Sequence, residues 1–515
     1  MSEKLFKSTA IVSMMTFLSR ILGFVRDIVI ARLFGAGLGA DVFFVAFKIP
    51  NFLRRLFAEG AFSQAFIPVL AEYRQRGDKD LKQLIASTSG TLAGILFVIT
   101  AIGVLAAPIL IMVFAPGFID NPHKLNLAGD LLKITFPYLF FISLTALAGS
   151  ILNSFGKFAM PAFTPVFLNL SLIGCAVWLS PHLTEPVTAL AWGVFIGGVV
   201  QLLFQIPFLI KIGQLPKPRW GWKDSGVQKI LKLMIPAMFG VSVAQINLLL
   251  DTLLASFLVT GSISWLYYSD RLVEFPLGVF GIALSTVILP SLSKKHASAS
   301  KSEFSHTIDW ALRWVFIIAT PATIGLAWLA EPLLVTLFQY GEFTPQDAHK
   351  ASLSLMAYSL GLLPFIFIKV LAPGYFARQD TKTPVKIGII AMVTNMILNI
   401  ILMIHYAHVG LALATSLSAI LNAGLLYLGL RKLKVYQPDT GWGKFIIKLL
   451  LPNSGLLLLL FWLTPDSAAW INGTVWQRSG MLFGLIAGAM AVYFTLLTIV
   501  GINIKSLLKP NKVIT

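Results

Sequence analysis

Long apolar runs, separated by short polar or Gly/Pro breaks, follow one another along almost the whole chain. They fall at 8–34, 40–70, 84–114, 126–154, 161–180, 187–212, 227–259, 265–292, 304–338, 345–376, 383–405, 408–433, 444–465 and 478–503. About twenty apolar residues in a helix cross the hydrocarbon of a bilayer. The pattern therefore predicts fourteen transmembrane helices in an all-α polytopic membrane protein. Composition agrees: of 515 residues 57% are hydrophobic and 12% charged, and the mean hydropathy of +0.82 lies outside the range of soluble globular chains. No connection is long enough to hold a catalytic or nucleotide-binding domain, and no Walker-type glycine loop occurs, so direct use of ATP is not indicated.

Charge then sorts the loops. Lys and Arg number 40 against 22 Asp and Glu, a formal net charge of +18. Most of the cations lie on the two termini and the even-numbered connections, whereas the opposite loops hold only Lys124, Lys350 and Arg478. Cytoplasmic loops carry the excess of Lys and Arg, which places both termini in the cytoplasm and explains the basic balance without a nucleic-acid partner. Lys4 and Lys7 ahead of an apolar run imitate a signal peptide, but Arg20 and Arg26 interrupt that run and no small-residue cleavage site follows. The segment reads as a retained first helix. Trp192, Trp265, Trp310, Trp442 and Trp462 fall near predicted helix ends, as an interfacial belt requires. The single Cys175 permits no intrachain disulfide.

Four anchors recur at nearly one spacing. Asp27, Ala31 and Gly37 match Asp251, Ala255 and Gly261, 224 residues on. Gly117, which closes Phe114-Ala-Pro-Gly117, matches Gly341, which closes Phe338-Gln-Tyr-Gly341; Pro68 matches Pro290, and Pro161 matches Pro384. Anchors in register on corresponding helices argue for duplication of a six-helix unit. Because six is even, both copies begin on the same side, as parallel repeats that place a substrate site between halves able to rock. The expected organisation is an N-lobe over 1–225 (helices one to six), a C-lobe over 226–440 (helices seven to twelve) and two further helices with a cytoplasmic tail over 441–515.

The first two runs are unusual in carrying Arg20, Arg26, Asp27, Arg32, Asp41, Lys48, Arg54, Arg55 and Glu59. A charge near the bilayer centre costs roughly 2.5–3.5 kcal/mol even on the lenient insertion scale. The excess of cations suggests a cavity that receives an anion. Asp41, Lys48 and Arg55 recur every seven residues, so they line one stripe, and Arg20 and Asp27 are spaced likewise. The second half carries Asp251, Asp270, Arg271, Glu274 and Lys369, with Asp270 and Glu274 on one helix face. Arg32, Lys133 and Arg313, near helix ends, are expected to snorkel, while Arg55 reads equally as a partner of Glu59, four residues on, and as a cavity residue. Arg20, Arg26, Arg54 and Arg271 lie deeper. A guanidinium suits phosphate because its planar fork binds two oxygens and stays charged. His405 and His408 read as an interfacial turn, and Asn395 and Asn399, one turn apart, as helix–helix hydrogen bonding.

Ser19-Arg-Ile-Leu-Gly-Phe-Val-Arg-Asp27, Asp41-Val-Phe-Phe-Val-Ala-Phe-Lys-Ile-Pro-Asn51, Arg54-Arg-Leu-Phe-Ala-Glu-Gly-Ala-Phe62, Tyr268-Ser-Asp-Arg-Leu-Val-Glu-Phe-Pro276 and Leu371-Ala-Pro-Gly-Tyr-Phe-Ala-Arg-Gln-Asp380 closely resemble the MurJ/MviN family of lipid II flippases, part of the multidrug/oligosaccharidyl-lipid/polysaccharide exporter superfamily. The resemblance covers essentially the whole chain. It implies two six-helix lobes around a central cavity, with two C-terminal helices forming a groove for a lipid tail. It implies a monomer in the bacterial inner membrane that moves lipid II, the undecaprenyl-diphosphate-linked peptidoglycan precursor, to the outer leaflet, beside membrane lipids and the cell-wall synthesis machinery. On matching positions Arg20, Arg26, Arg54 and Arg271, with Ser19 and Lys48, would bind the diphosphate. Asp27, Asp41, Glu59, Asp270 and Glu274 would line or gate the cavity. The resemblance also implies a sodium site at Asp251, Asn395, Asn399, Thr415 and the backbone of Leu411, where Asn399 stands in place of a second carboxylate of some relatives and lowers the charge; no other cofactor is implied.

A cation-coupled drug exporter of the same superfamily calls for an acidic or aromatic cavity, which the cations of the first two helices oppose; a carrier of another polyprenyl-diphosphate saccharide shares the chemistry. An enzyme acting on the same lipid needs a paired acid and base, and Asp120, Glu342 and Asp347 sit on short segments without one.

Overall fold

Apolar residues with few helix-breaking interruptions leave the backbone no partner in lipid but itself, so helices are the expected solution. In a computed structural model of the chain, the described residues, 3–298 and 300–502, contain no strand. Side chains are described for them except at 3–10, 57–60, 239–244, 282–283 and 286. The helices are α1 (Glu3–Phe34), α2 (Leu38–Arg54), α3 (Ser63–Arg76), α4 (Asp78–Leu105), α5 (Ala107–Phe114), α6 (Pro122–Thr135), α7 (Tyr138–Ser154), α8 (Ala159–Phe163), α9 (Pro165–Gly174), α10 (Thr188–Lys211), α11 (Ser225–Ala255), α12 (Ser262–Pro276), α13 (Ile282–Ala297), α14 (Lys301–Trp328), α15 (Ala330–Phe338), α16 (Pro345–Ser359), α17 (Leu362–Phe376), α18 (Lys382–Lys432), α19 (Trp442–Leu463), α20 (Ser467–Asn472) and α21 (Val475–Ile499). Among the described residues nine segments are long and apolar enough to cross a membrane, judged by length and composition.

The duplication read from a few anchors runs through the element boundaries. Helix α4 breaks at Ala106 and α14 at Leu329, with φ/ψ of −86°/6° and −90°/17°. Helices α6 and α16 open on Pro122 and Pro345, where proline's fixed φ suits the first helical turn. Each copy also carries a π-helical interruption, Arg55–Phe62 between α2 and α3 and Leu277–Gly281 between α12 and α13. The eleventh and twelfth expected helices are one element, α18, kinked at Ala407 (φ 49°, ψ −129°), between the runs 383–405 and 408–433. The kink folds the backbone back so tightly that a Cβ at Gly410 would lie 2.3 Å from the Leu402 carbonyl oxygen, so only glycine fits there.

By packing, the chain divides into two compact units, Met1–Ser264 and Trp265–Thr515. In the first, α10 packs on α7 and α9, α2 on α6, and α1 on α8 and α9. Helix α11, which opens the expected second copy, packs here too, against α3 and the π-helical turn at 55–62. In the second, α17 lies on α14 and α18, α15 on α16, and the α19–α21 hairpin on α14 and α15.

The second unit corrects two expectations. Arg313 does not snorkel: it is 4% exposed, its Nε donates to Asp309 Oδ2 at 2.8 Å, and its guanidinium lies over the rings of Trp442 and Phe445. Asp309 Oδ1 accepts from the Tyr436 hydroxyl (2.8 Å), the Asp439 amide (3.1 Å) and Trp442 Nε1 (2.6 Å). A buried ion pair persists only when its remaining oxygens and protons are bonded, and this one ties the 433–441 connection to α14. Trp265 is not a belt residue either: it is buried, donating to Asp347 Oδ1 at 2.9 Å.

Candidate functional site

The first charged group lies where α1 meets α9. Arg26 donates through Nε and Nη2 to Asp27 Oδ1 (2.9 and 2.6 Å) and through Nη1 to Asn169 Oδ1 (3.1 Å). Asn169 Nδ2 donates in turn to the Ser19 carbonyl (3.1 Å). Asp27 is fully buried, and the Arg26 side chain is 12% exposed. Three donor nitrogens of the guanidinium are held in fixed directions by groups on two helices, so its plane is set in advance. Arg20 is exposed and Ser19 half-buried on the same helix; Arg32 is exposed, as a snorkelling residue would be.

The second group surrounds Asp41 in the first turn of α2. The carboxylate is 1% exposed and faces the start of α12. Oδ2 accepts from the Gly261 amide (2.7 Å), and Oδ1 accepts from the Ser264 amide (2.9 Å) and hydroxyl (2.7 Å). An anion at a helix N-terminus is stabilised by the unpaired amides there. Gly261 has φ 102°, a left-handed conformation natural to glycine. Lys124 Nζ is 3.9 Å from Asp41 Oδ2 and 3.4 Å from Thr260 Oγ1, and sits over the Phe118 ring. Gly117, on the same turn, donates its amide to Ser256 Oγ at 3.1 Å, and a Cβ there would lie 2.2 Å from the Ser256 carbonyl oxygen.

Further along α2, Lys48 is half-buried and Arg54 Nε donates to Asn51 Oδ1 at 2.9 Å. Arg55 Nη1 lies 3.5 Å from Gln245 Oε1 of α11; the expected Arg55–Glu59 pair cannot be placed, since the Glu59 side chain lies outside those described. Asp251 is half-buried on α11. In the second unit Arg271 Nη1 donates to Glu274 Oε2 at 3.0 Å, both partly exposed, beside a half-buried Asp270, while Lys369 is exposed.

Of the expected sodium donors, Asn395, Asn399, Thr415 and Leu411 lie on α18. Asn399 Nδ2 donates to Asn395 Oδ1 at 3.0 Å, Asn395 Nδ2 lies 3.5 Å from Thr415 Oγ1, and Thr415 Oγ1 donates to the Leu411 carbonyl at 3.0 Å. These three side chains are thus linked to one another along α18, while Asp251, the one carboxylate of the expected set, lies on α11. His405 and His408 each bond a backbone carbonyl, of Ile401 and Lys350, and among the described residues no group of three or more His, Cys, Asp or Glu could hold a metal.

Several participants escape a charge-based reading. Asn169 and Gln245 lie in apolar runs and Ser264 in the short break before 265–292, with no periodicity to single them out. Lys124 carried a signal, as one of three cations on an otherwise cation-poor side, yet its burial against Asp41 comes from tertiary packing.

The model of the family described as lipid II flippase MurJ matches residues 30–479. A probable lipid II flippase MurJ of Vibrio cholerae is 56% identical over 98% of both chains, and one of Haemophilus influenzae is 52% identical over 96% of this chain and all of that one. A lipid II flippase MurJ of Burkholderia cenocepacia is 42% identical, with 96% and 98% covered. Among solved structures, a lipid II flippase MurJ in an inward closed conformation superposes with TM-score 0.80 at 29% identity, covering 97% of this chain and 99% of that one. A multidrug resistance transporter of the MATE family, inward-facing, shares the fold at TM-score 0.67 and 13% identity over 82% of this chain and 98% of that one. With these matches, the chain belongs to the MurJ family of lipid II flippases.

Proposed function

We propose that this chain is a transporter, not an enzyme, and carries lipid II from the cytoplasmic to the outer leaflet of the bacterial inner membrane. The observation that carries this reading is Arg26: a permanently charged group on a membrane helix, oriented by Asp27 and Asn169, in a family whose relatives are named for a diphosphate lipid. An arginine fork fixed before the ligand arrives binds two phosphate oxygens without first losing side-chain freedom. Arg20, Arg54 and Arg271, with Ser19 and Lys48, complete the anion-binding set, and the acids Asp27, Asp41, Glu59, Asp270 and Glu274 set its polarity and gating.

The head group crosses by alternating access while the prenyl tail stays in lipid. Asp41, bonded to Gly261 and Ser264, is the latch on the extracytoplasmic side and must release for the carrier to open outward. An inside-negative potential favours the step: two negative charges crossing ~100 mV gain roughly 4–5 kcal/mol. No step of this cycle is routed through sodium. The chain works as a monomer, with the cell-wall synthesis machinery drawing on its product.

The test is transport of lipid II by the purified chain in vesicles with potential, proton and sodium gradients imposed one at a time. The expected outcome is outward movement that follows the potential and is indifferent to sodium. Equal transport of another polyprenyl-diphosphate saccharide in competition would replace lipid II with the broader class, and no transport of either would end the proposal.

A further inference from the structure

We propose that the first unit holds a site for an anionic glycerophospholipid, with its phosphate between Lys157 and Lys211 and one acyl chain along α1 and α10. A cavity of about 250 Å³ opens where α7 and α10 end beside the start of α1, lined by Ile11, Phe158, Met160, Phe208 and Ile212 together with the two lysines. Its shape comes from two matching helix ends. Gly156 (φ 74°) donates to the Asn153 carbonyl and Lys157 to the Leu152 carbonyl, both at 2.9 Å; Gly213 (φ 69°) donates to Ile210 at 2.9 Å and Gln214 to Leu209 at 3.0 Å. Both are glycine-terminated Schellman turns, which stop α7 and α10 abruptly and leave a recess between them.

Three observations select the occupant. Both lysines are exposed, and among the described residues neither is held by a carboxylate, so the mouth offers unneutralised positive charge. The interior is apolar, and α1 and α10, which supply Ile11 and Phe208 to it, also carry Met14, Phe17, Leu203 and Ile210, each more than half exposed. An anionic head with acyl chains matches both surfaces, whereas free phosphate or an acidic peptide would leave the apolar part unused. The volume lies below the ~300–1,000 Å³ of pockets that enclose whole drug-sized ligands, so it admits part of one acyl chain and not a saccharide-peptide.

The experiment uses the full chain in zwitterionic phosphatidylcholine nanodiscs doped with labelled phosphatidylglycerol, reading bound label per protein. Each lysine near an anionic lipid surface contributes about fivefold in affinity, so Lys157→Gln with Lys211→Gln should weaken retention on the order of thirtyfold, and Lys211→Gln alone about fivefold. Lys217→Gln with Lys223→Gln, which removes the same charge from the connection after α10, should weaken retention less than the Lys157/Lys211 pair, and millimolar inorganic phosphate should not displace the label. Unaltered retention in the Lys157/Lys211 variant, equal loss in the control pair, or displacement by phosphate would overturn the proposal. Thermal unfolding of each variant confirms that it is folded.

Discussion

Asp41 and Ser264 lie in the first turns of corresponding helices in the two copies of the repeat and bond to each other, the Ser264 amide and hydroxyl both donating to Asp41 Oδ1. The helices they open, α2 and α12, begin at Leu38 and Ser262, 224 residues apart like the Asp27 and Asp251 anchors. The first copy supplies the acid, and the second supplies a helix N-terminus and a hydroxyl. Duplication gives the pair of helix starts, and their different residues make them complementary.

Removing that acid strands several partners at once. Asp41→Ala leaves the Gly261 and Ser264 amides without their acceptor and Lys124 buried without its anion, and breaking a buried pair costs about 3–5 kcal/mol. The variant should melt well below the parent in detergent, and Asp41→Asn, which keeps the shape and part of the bonding, should fall between them. Melting curves that coincide for all three would contradict the latch.

Asn169 positions Arg26 without carrying charge. A hydrogen bond to a charged group is worth about 1.5–3 kcal/mol, so Asn169→Ala should lower lipid II transport by roughly ten- to a hundredfold while Asn169→Asp, which keeps an acceptor for Arg26 Nη1, restores part of it. The parent's salt dependence of transport should persist in both, because the cation itself is untouched. Equal transport by Asn169→Ala and the parent would remove Asn169 from the site.

In the second unit, Asp309→Ala should destabilise by about 3–5 kcal/mol through the buried Arg313 it abandons. Tyr436→Phe, which deletes one of four bonds to that carboxylate, should cost about 1 kcal/mol. Chemical denaturation of the two variants, with loss of the 433–441 tether read by proteolysis, checks the order. A milder effect from Asp309→Ala than from Tyr436→Phe would be inconsistent with the network described.

How much of this was legible varies by residue. Helix positions came from hydropathy alone, and even the α18 break was placed within two residues of Ala407, because backbone in lipid has few choices. The repeat was visible through Asp27/Asp251 and Gly117/Gly341. The partners were not: Arg313 read as a snorkelling residue because its ring neighbours Trp442 and Phe445 lie more than a hundred residues away, although Asp309, one helical turn earlier, was within reach of an i,i+4 reading. Asn169 and Ser264 are invisible to any charge count. Sequence spacing reports which face a residue takes, and only the tertiary approach of a second helix decides what it meets there.

On the α3–α11 side, Glu72 accepts from Lys229 Nζ at 2.5 Å and also bonds Arg76, and Lys229 foremost holds its carboxyl below the usual glutamate value. A carboxylate whose folded-state pKa is depressed contributes stability above its unfolded pKa and loses it as pH falls through the folded one. The stability difference between the parent and Glu72→Gln should therefore be present at neutral pH and vanish as the pH drops below about 4. Thermal melts across that range check it; a gap that widens in acid would reverse the sign and exclude the pairing.

The central claim is that an arginine oriented on α1 receives the diphosphate of lipid II, and the direct measurement is lipid II transport in reconstituted vesicles by the parent, Arg26→Ala and Arg26→Lys, each checked for folding by its melting temperature. Lysine keeps the charge and loses the fork. The account predicts loss of at least tenfold in the alanine variant, with lysine recovering only part of it. Full transport by a folded Arg26→Ala protein would contradict it.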